Sequence, residues 1–334
     1  MSTCTPIFTL GSPRNGTTWL GNVLCRHPEV AGVQHEAHHG IHESKLWWHT
    51  KYWGDFSEES SFITFLEQYS AGDYFRLAEG DKEYFYRNRP RDFVAFFFQL
   101  MDRYAAQRNA RYWVTKLDPM LYHRRDELDA FIARVKERYG DCKFISIERD
   151  PVDVLRSYLS MQGVASQRRE QTLVSKGATI LAIARNVVQY RAIDAIVASE
   201  KGLSLSFEVF KNDHEASMRR LMQYLDLSPD ALRPSSYAAN SSFASKEKSA
   251  HRTEVWLAEH VLLPLFKSVP GMARFVLSAR EQVRRPTCPL SWRLLKMEHM
   301  QKEFERELLE TGDIGLHTAL FEGDVQEVER PEVE

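Results

Sequence analysis

An apolar run, Pro6-Ile7-Phe8-Thr9-Leu10, breaks at Gly11-Ser12-Pro13-Arg14-Asn15-Gly16-Thr17-Thr18-Trp19 and resumes as the helix-like Leu20-Gly21-Asn22-Val23-Leu24. A strand, a tight loop of small residues and a helix start, in that order, gather backbone N–H groups around one point. The helix dipole adds positive potential at the same spot, so the segment reads as a phosphate cradle. It is not a Walker A loop. That motif needs Gly-Lys-Ser/Thr at its end, whereas Gly16 is followed by Thr17-Thr18 and the nearby cation, Arg14, precedes the glycine. A cradle without that lysine and its magnesium ligand points to a different phosphorylated donor.

A second element has the same form. Cys142-Lys143-Phe144-Ile145-Ser146-Ile147 suits a buried strand and ends at Glu148-Arg149-Asp150-Pro151. Asp150 as N-cap and Pro151 in the first turn start a helix through Val154, Leu155, Ser157, Tyr158 and Leu159. Arg149 then stands at a strand's carboxyl end and Ser157 lies two turns into the helix, so both can face one anion. In open α/β sheets ligands bind just outside the carboxyl ends of the strands, where both motifs lie.

At these two places the chain resembles the sulfotransferases that use 3′-phosphoadenosine 5′-phosphosulfate (PAPS). Their first motif, Pro-Lys/Arg-Ser-Gly-Thr-Thr-Trp, reads here as Pro13 to Trp19, and their second, Arg-(Asp/Asn)-Pro-x-Asp-x-x-x-Ser, as Arg149 to Ser157. The resemblance implies that Arg14, Asn15, Gly16, Thr17, Thr18 and Trp19 hold the 5′-phosphosulfate, while Arg149 and Ser157 grip the 3′-phosphate. A weaker match is Leu203-Ser204-Leu205-Ser206-Phe207-Glu208, which is similar to the family's strand ending in Tyr-Glu-Asp. Phe207 replaces the tyrosine, which puts any hydrogen bond from that side chain to adenine in doubt. The resemblance covers roughly the first two-thirds of the chain, up to about Leu227.

Between and beyond the motifs the pattern alternates strand and helix. Val30 to Val33 and Arg111 to Leu117 read as strands. Helices are expected over Arg91–Gln107, Asp126–Tyr139, Val174–Glu200 and about Asp213–Leu227. Five strands alternating with helices imply an α/β fold with a central parallel sheet covered on both faces. The resemblance implies the P-loop-NTPase-like sulfotransferase version of it, with a helical C-terminal part. Trp47 to Tyr86, aromatic and acidic without a clean period, reads as an insertion carrying one short helix near Phe62–Leu66. A single domain over 1–312 is expected, with an acceptor-side insertion at about 40–110 and an acidic, frayed tail at 313–334.

Composition agrees with this reading without demanding it. With 334 residues, 43% of them hydrophobic, the chain can bury one large core. Its 44 basic and 46 acidic residues give a formal charge of −2, which offers no argument for a nucleic-acid partner. Cys4, Cys25, Cys142 and Cys288 show no Cys-x-x-Cys spacing, against a zinc site or a disulfide framework and in keeping with a reducing compartment. No secretory apolar region opens the sequence and no stretch reaches membrane-spanning length, so a cytoplasmic protein with no membrane span is expected. Nothing in the sequence speaks against a homodimer.

Sulfuryl transfer needs a base for the acceptor's proton and cations for the bridging oxygen of the leaving nucleotide. Several branches of the family place a catalytic glutamate just past the second strand, and Glu36 in Gln34-His35-Glu36-Ala37-His38-His39 fits that place. Other branches use a histidine two residues after a lysine on the next strand. Here the lysine is Lys116, and Asp118 takes the histidine's position, which favours Glu36. Lys116 is then a sulfuryl-group ligand or a surface charge at a strand end. His35, His38 and His39 give no tetrahedral set by spacing, and no metal is expected. Lys246, Lys248 and Arg252 resemble only loosely the family's basic loop over the 3′-phosphate.

The acceptor is expected to be a small-molecule or lipid-like alcohol, less readily an amine, on the hint of Trp47-Trp48 and Phe93 to Phe98. Trp47, Trp48 and Trp53 fit an acceptor or adenine pocket and a packed aromatic cluster equally well. Two other readings stay open at this level. A P-loop kinase-like phosphotransferase would use the first motif but wants a lysine at Thr17. A non-catalytic nucleotide-binding protein would keep the fold and lose the chemistry, which is expected to show as loss of Glu36 or Arg149.

Overall fold

The computed structural model describes residues 4–34, 41–42, 44–53, 55–117, 121, 125–157, 172–233, 252–269 and 271–283. The first strand and helix, β1 (Thr5–Leu10) and α1 (Thr17–Leu24), flank the glycine-containing loop. Then follow β2 (Val30–Ala31), α2 (Leu46–Trp53), α3 (Glu59–Ser70), α4 (Asp73–Leu77), α5 (Lys82–Arg87) and α6 (Phe93–Gln107). The middle of the chain holds β3 (Tyr112–Lys116), α7 (Arg125–Tyr139), β4 (Lys143–Glu148), α8 (151–157) and α9 (Thr172–Ser199). The series closes with β5 (Leu203–Ser206), α10 (Phe207–Asn212), α11 (His214–Tyr224), α12 (Arg252–Leu257), a π-helical turn (Ala258–Leu262), α13 (Leu263–Ser268) and α14 (Met272–Val283).

The strands form one five-stranded sheet in the order β2-β3-β1-β4-β5, and each adjacent pair is parallel. This is the expected α/β architecture. Alternating side chains explain its two covered faces. Phe8 and Trp113 point into a core built with α2 to α7, whereas their neighbours Ile7 and Val114 join α1, α10 and α11 on the other side. A third cluster packs Val152 and Leu155 of α8 and Ile183, Ala184 and Val187 of α9 against Leu262, Leu263 and Phe266.

Because all strands run the same way, their carboxyl ends share one edge. Thr9 is in register with Lys116, Leu10 with Ser146 and Glu148 with Ser206. The residues just past these ends are therefore Gly11, Leu117, Arg149 and Phe207. The fold thus gathers both sequence motifs on one rim.

The segment from Trp47 to Tyr86 departs from expectation. It holds four helices in place of one short one. Its aromatic residues have no clean period because the helices are short and bury rings from several directions. Phe56, Phe62, Phe65, Phe75, Phe85, Phe93, Phe96 and Phe97 are all within 4% of full burial. Rings meet edge-on and offset, as with Phe65 on Phe96 at 4.8 Å and Phe56 on Phe65 at 4.6 Å. Trp47 is 7% exposed and its indole N–H donates to Glu127 Oε2 at 2.7 Å, which makes it a packed core residue. Trp53 lies edge-on to Phe65, and the side chain of Trp48 falls outside the description. The aromatic run Phe93 to Phe98 is likewise core, so its residues carry no information about the acceptor.

Among the described residues no helix is long and apolar enough to cross a membrane, and no group of three or more His, Cys, Asp or Glu side chains is placed to hold a metal. Cys4, Cys25 and Cys142 are free thiols, and burial pushes the Cys25 and Cys142 thiols up to about 12.

One partly buried titratable group carries an expected acid sensitivity. His49 lies between Tyr69 and Phe93, at 5.0 and 4.9 Å between ring centres. Burial, helped by the neighbouring Lys45 charge, lowers its pKa from 6.5 to about 3. The folded state keeps this imidazole neutral while the unfolded chain protonates it from about 6.5 downward, so stability present above that pH is lost as the pH falls toward 3. The melting temperature of the protein should therefore drop as the pH falls from 7 to 5, and His49→Leu should show a shallower drop. Parallel pH curves for the two proteins would acquit the histidine.

Candidate active site

The loop after β1 is built by two left-handed residues. Arg14 has φ 71° and Gly16 has φ 98°, on either side of Asn15. The Asn15 N–H donates back to the Ser12 carbonyl at 3.2 Å, closing a turn, and Leu20 N–H donates to Gly16 O at 2.9 Å, starting α1. Gly16 is the N-cap and no side chain caps the helix. The first N–H groups of α1 therefore open toward the rim of the sheet. Glycine is required at Gly16 on two counts: the left-handed backbone, and the Phe207 ring, which an added Cβ would meet at 2.8 Å. At Gly11 an added Cβ would come within 2.4 Å of the Thr17 methyl group.

The second motif folds as read as far as Ser157, while Tyr158 and Leu159 lie outside the described residues. Asp150 Oδ1 accepts the N–H groups of Val152 at 2.7 Å and Asp153 at 3.2 Å, which caps α8. Asp153 pairs with Arg156 at 2.8 Å, so Asp150 and Asp153 both have partners of their own. Ser157 is 3% exposed on the inner face of α8.

The structure brings the two motifs together. Arg14 Nε donates to Ser157 Oγ at 3.0 Å across 143 residues of sequence, and Arg149 reaches the Arg14 carbonyl at 3.4 Å. The Arg149 guanidinium also sits over the Phe207 ring, 4.9 Å from its centre. Burial is the main influence lowering the Arg149 pKa. The charge of Arg14 adds to it, while Asp153 and Glu208 act in the opposite sense. Two guanidinium groups thus share a half-buried spot at a helix start, an arrangement that suits a multiply charged anion.

Phe207 has a role that sequence reading did not assign. It opens α10 immediately after β5 and lies 8% exposed, with Trp19 edge-on at 5.7 Å. It fills the space between Gly16 and Arg149 as an apolar floor. Ser206 caps this helix through Val209 N–H at 3.3 Å, and Glu208 Oε1 accepts the Asp150 N–H at 3.1 Å. The Tyr-to-Phe departure thus leaves a packing residue where the family's hydroxyl would stand.

Lys116 ends β3 beside Thr9, on the same rim as the loop. Glu36, with His35, His38 and His39, lies outside the described residues, as do Asp118, Lys246 and Lys248 and the side chain of Arg252. The flanks of the Glu36 segment are defined. Gln34 and Ile41 form an antiparallel bridge, His42 N–H donates to Val33 O at 2.7 Å, and Ile41 N–H donates to Asn22 Oδ1 of α1 at 2.7 Å. The flanking Ile41 is thus tied to the helix that opens at Gly16.

A buried polar row on α9 was also missed. Asn186, Gln189 and Tyr190 face the loop, with Ser12 Oγ donating to Gln189 Oε1 at 2.6 Å and Asn186 Nδ2 donating to Ser12 Oγ at 3.2 Å. Nearby, Glu148 accepts from Ser204 Oγ at 3.0 Å, and burial together with Asp194 holds its carboxyl above the usual range.

Gly16→Ala should destabilise the protein by about 1–3 kcal/mol, since it combines a left-handed alanine with a clash against a buried ring. Chemical denaturation checks this. Adding Phe207→Leu to the same protein should recover part of the loss, because it relieves the clash but not the backbone.

Among solved structures the chain is similar to the "Sulfotransferase Domain from the Curacin Biosynthetic Pathway", at 16% identity and TM-score 0.42, covering 72% of this chain and 80% of that one. A sulfotransferase from Alicyclobacillus acidocaldarius matches at 18% identity and TM-score 0.40, with 71% and 87% covered. Sulfotransferase STF9 from Mycobacterium avium matches at 14% identity and TM-score 0.40, with 87% and 79% covered. A comparison with curated proteins finds no match. The profile of the sulfotransferase family matches residues 6–231, well over half of the sequence and spanning every strand of the sheet, and the chain belongs to that family.

Proposed function

We propose that this enzyme moves the sulfuryl group of PAPS to a hydroxyl of a small-molecule or lipid-like acceptor, without a metal. The observation that carries the reading is the Arg14–Ser157 contact, which joins the loop after β1 to the Arg149 motif on one rim of the sheet. A nucleotide with an anion at each end would need both. In this reading the open N–H groups of α1, with Arg14, Asn15, Gly16, Thr17, Thr18 and Trp19, receive the 5′-phosphosulfate. Arg149 and Ser157 receive the 3′-phosphate.

The acceptor oxygen attacks sulfur in line with the bridging oxygen, the S–O bond to the nucleotide breaks, and the acceptor proton passes to a base. Arg14 and Lys116 neutralise the charge that grows on the bridging and sulfuryl oxygens. Glu36 is the proposed base. Its support is the family position past β2 and the tie of the flanking Ile41 to α1 through Asn22. A carboxylate beside the negative sulfuryl group has its pKa raised toward neutrality, where it can accept a proton.

Ligand-dependent melting gives the first test. Adenosine 3′,5′-bisphosphate should raise the melting temperature strongly and ATP with magnesium hardly at all, because only a ligand of the native state stabilises it. The reverse order would favour a kinase-like phosphotransferase.

Arg149→Ala should weaken binding of the 3′-phosphorylated nucleotide by about 2–4 kcal/mol and barely affect a nucleotide lacking that phosphate. Calorimetry that finds equal losses for both would remove Arg149 from the 3′ site.

Glu36→Gln keeps the shape and removes the basicity. It should lower kcat by about a hundredfold or more while donor binding persists. If His35→Ala or His38→Ala is the inactive variant and Glu36→Gln keeps its turnover, the base is an imidazole.

A further inference from the structure

The polar row of α9 touches both halves of the donor site at once. Asn186, Gln189 and Tyr190 are spaced i, i+3 and i+4, so they share one helical face, and the first two are 3% and 1% exposed. The contacts divide along that face. Asn186 and Gln189 hold Ser12, at the start of the loop. Tyr190 reaches further and meets both motifs. Its Oη accepts the Arg149 N–H at 3.2 Å, stands 2.5 Å from the Arg149 carbonyl, and lies 3.1 Å from Asn15 Oδ1. Asn15 completes the link by donating its Nδ2 to the Ile147 carbonyl at 3.2 Å.

The phenol has one proton and two acceptors within reach, the Arg149 carbonyl and Asn15 Oδ1. It is an oxygen shared between the backbone that aims Arg149 and the side chain at the centre of the loop. Burial pushes the hydroxyl up to about 12, so it keeps its proton at physiological pH and can go on donating.

We propose that Tyr190 is a positioning residue that sets the distance between the two anion-binding ends of the donor site, with Gln189 holding the 5′ end through Ser12. The inference rests on the donor reading above. A ligand with one phosphate needs only one end in place and tolerates a change of spacing. A ligand with phosphates at both positions does not, because its own covalent length fixes the span. Tyr190 is therefore expected to act on the selectivity between bisphosphate and monophosphate nucleotides, an effect that simple support of the fold would not produce.

Calorimetry on the full chain tests this with adenosine 3′,5′-bisphosphate, adenosine 5′-phosphate and adenosine 3′-phosphate. Tyr190→Phe keeps the ring and deletes the shared oxygen. It should weaken the bisphosphate about tenfold and each monophosphate by less than about twofold, the scale of one or two lost hydrogen bonds. Gln189→Met, which keeps the length and cuts the bond to Ser12, is the second variant should the first fail to fold. Its loss should show with the two ligands that carry a 5′-phosphate and not with adenosine 3′-phosphate. Equal losses for all three ligands, or none for any, would reduce the α9 row to a support of the fold and overturn the proposal. If the unaltered protein binds adenosine 5′-phosphate but gains nothing from the added 3′-phosphate, the donor reading itself falls. That result is distinct, because it appears before any variant is made.

Discussion

The pairing of β1 with β4 is the contact on which the candidate site depends. Each strand is followed by a loop that turns into a helix, and parallel pairing makes both strands end on one edge. With Leu10 opposite Ser146, the turn at Gly11 and the arginine at position 149 emerge side by side. The register is held by side chains on both faces. Phe8 stacks on Phe144 at 5.5 Å on one side, while Ile7, Ile145 and Ile147 join the second core on the other. A one-residue slip would turn Phe144 away from Phe8 and carry Arg149 off the rim. The chemistry at the edge is thus fixed by apolar contacts well inside the sheet.

What could be read in the sequence was local. The loop motif, the Asp150 cap and the alternation of strand and helix each lie within about ten residues, and short-range sterics and hydrogen bonding settle them. The aromatic segment was less legible, because spacing alone does not tell whether a ring faces a core or a ligand. Trp47 illustrates this. Its partner Glu127 is 80 residues away, and only the packing of α2 against α7 joins them. The α9 row was hidden for a related reason. Spacing alone did not single out Asn186, Gln189 and Tyr190, because Ile183, Ala184, Val187 and Ile193 flank them on a helix with apolar residues on several sides.

Phe207 shows how a departure from the family pattern is accommodated. The ring closes the gap between Gly16 and Arg149. Its face serves the guanidinium at 4.9 Å and its edge meets Trp19. The glycine and the phenylalanine depend on each other. A left-handed turn without a Cβ lets the ring approach, and the ring fills the volume that the missing Cβ leaves.

The charges at the rim follow from the same arrangement. Arg149 is half-buried, which alone disfavours its charged form, and the nearby Arg14 pushes in the same direction. Asp153 and Glu208 offset part of this, but each is already engaged, with Arg156 in one case and with the Asp150 N–H and Ser206 hydroxyl in the other. Neither carboxylate can move in to neutralise the pair without leaving a capped helix or an ion pair behind. Arg14 is held by the Ser157 hydroxyl, and Arg149 by the Arg14 carbonyl and the Phe207 ring. In the proposed reading, an anion entering there would meet donors already oriented and would relieve the mutual repulsion of Arg14 and Arg149 as it binds.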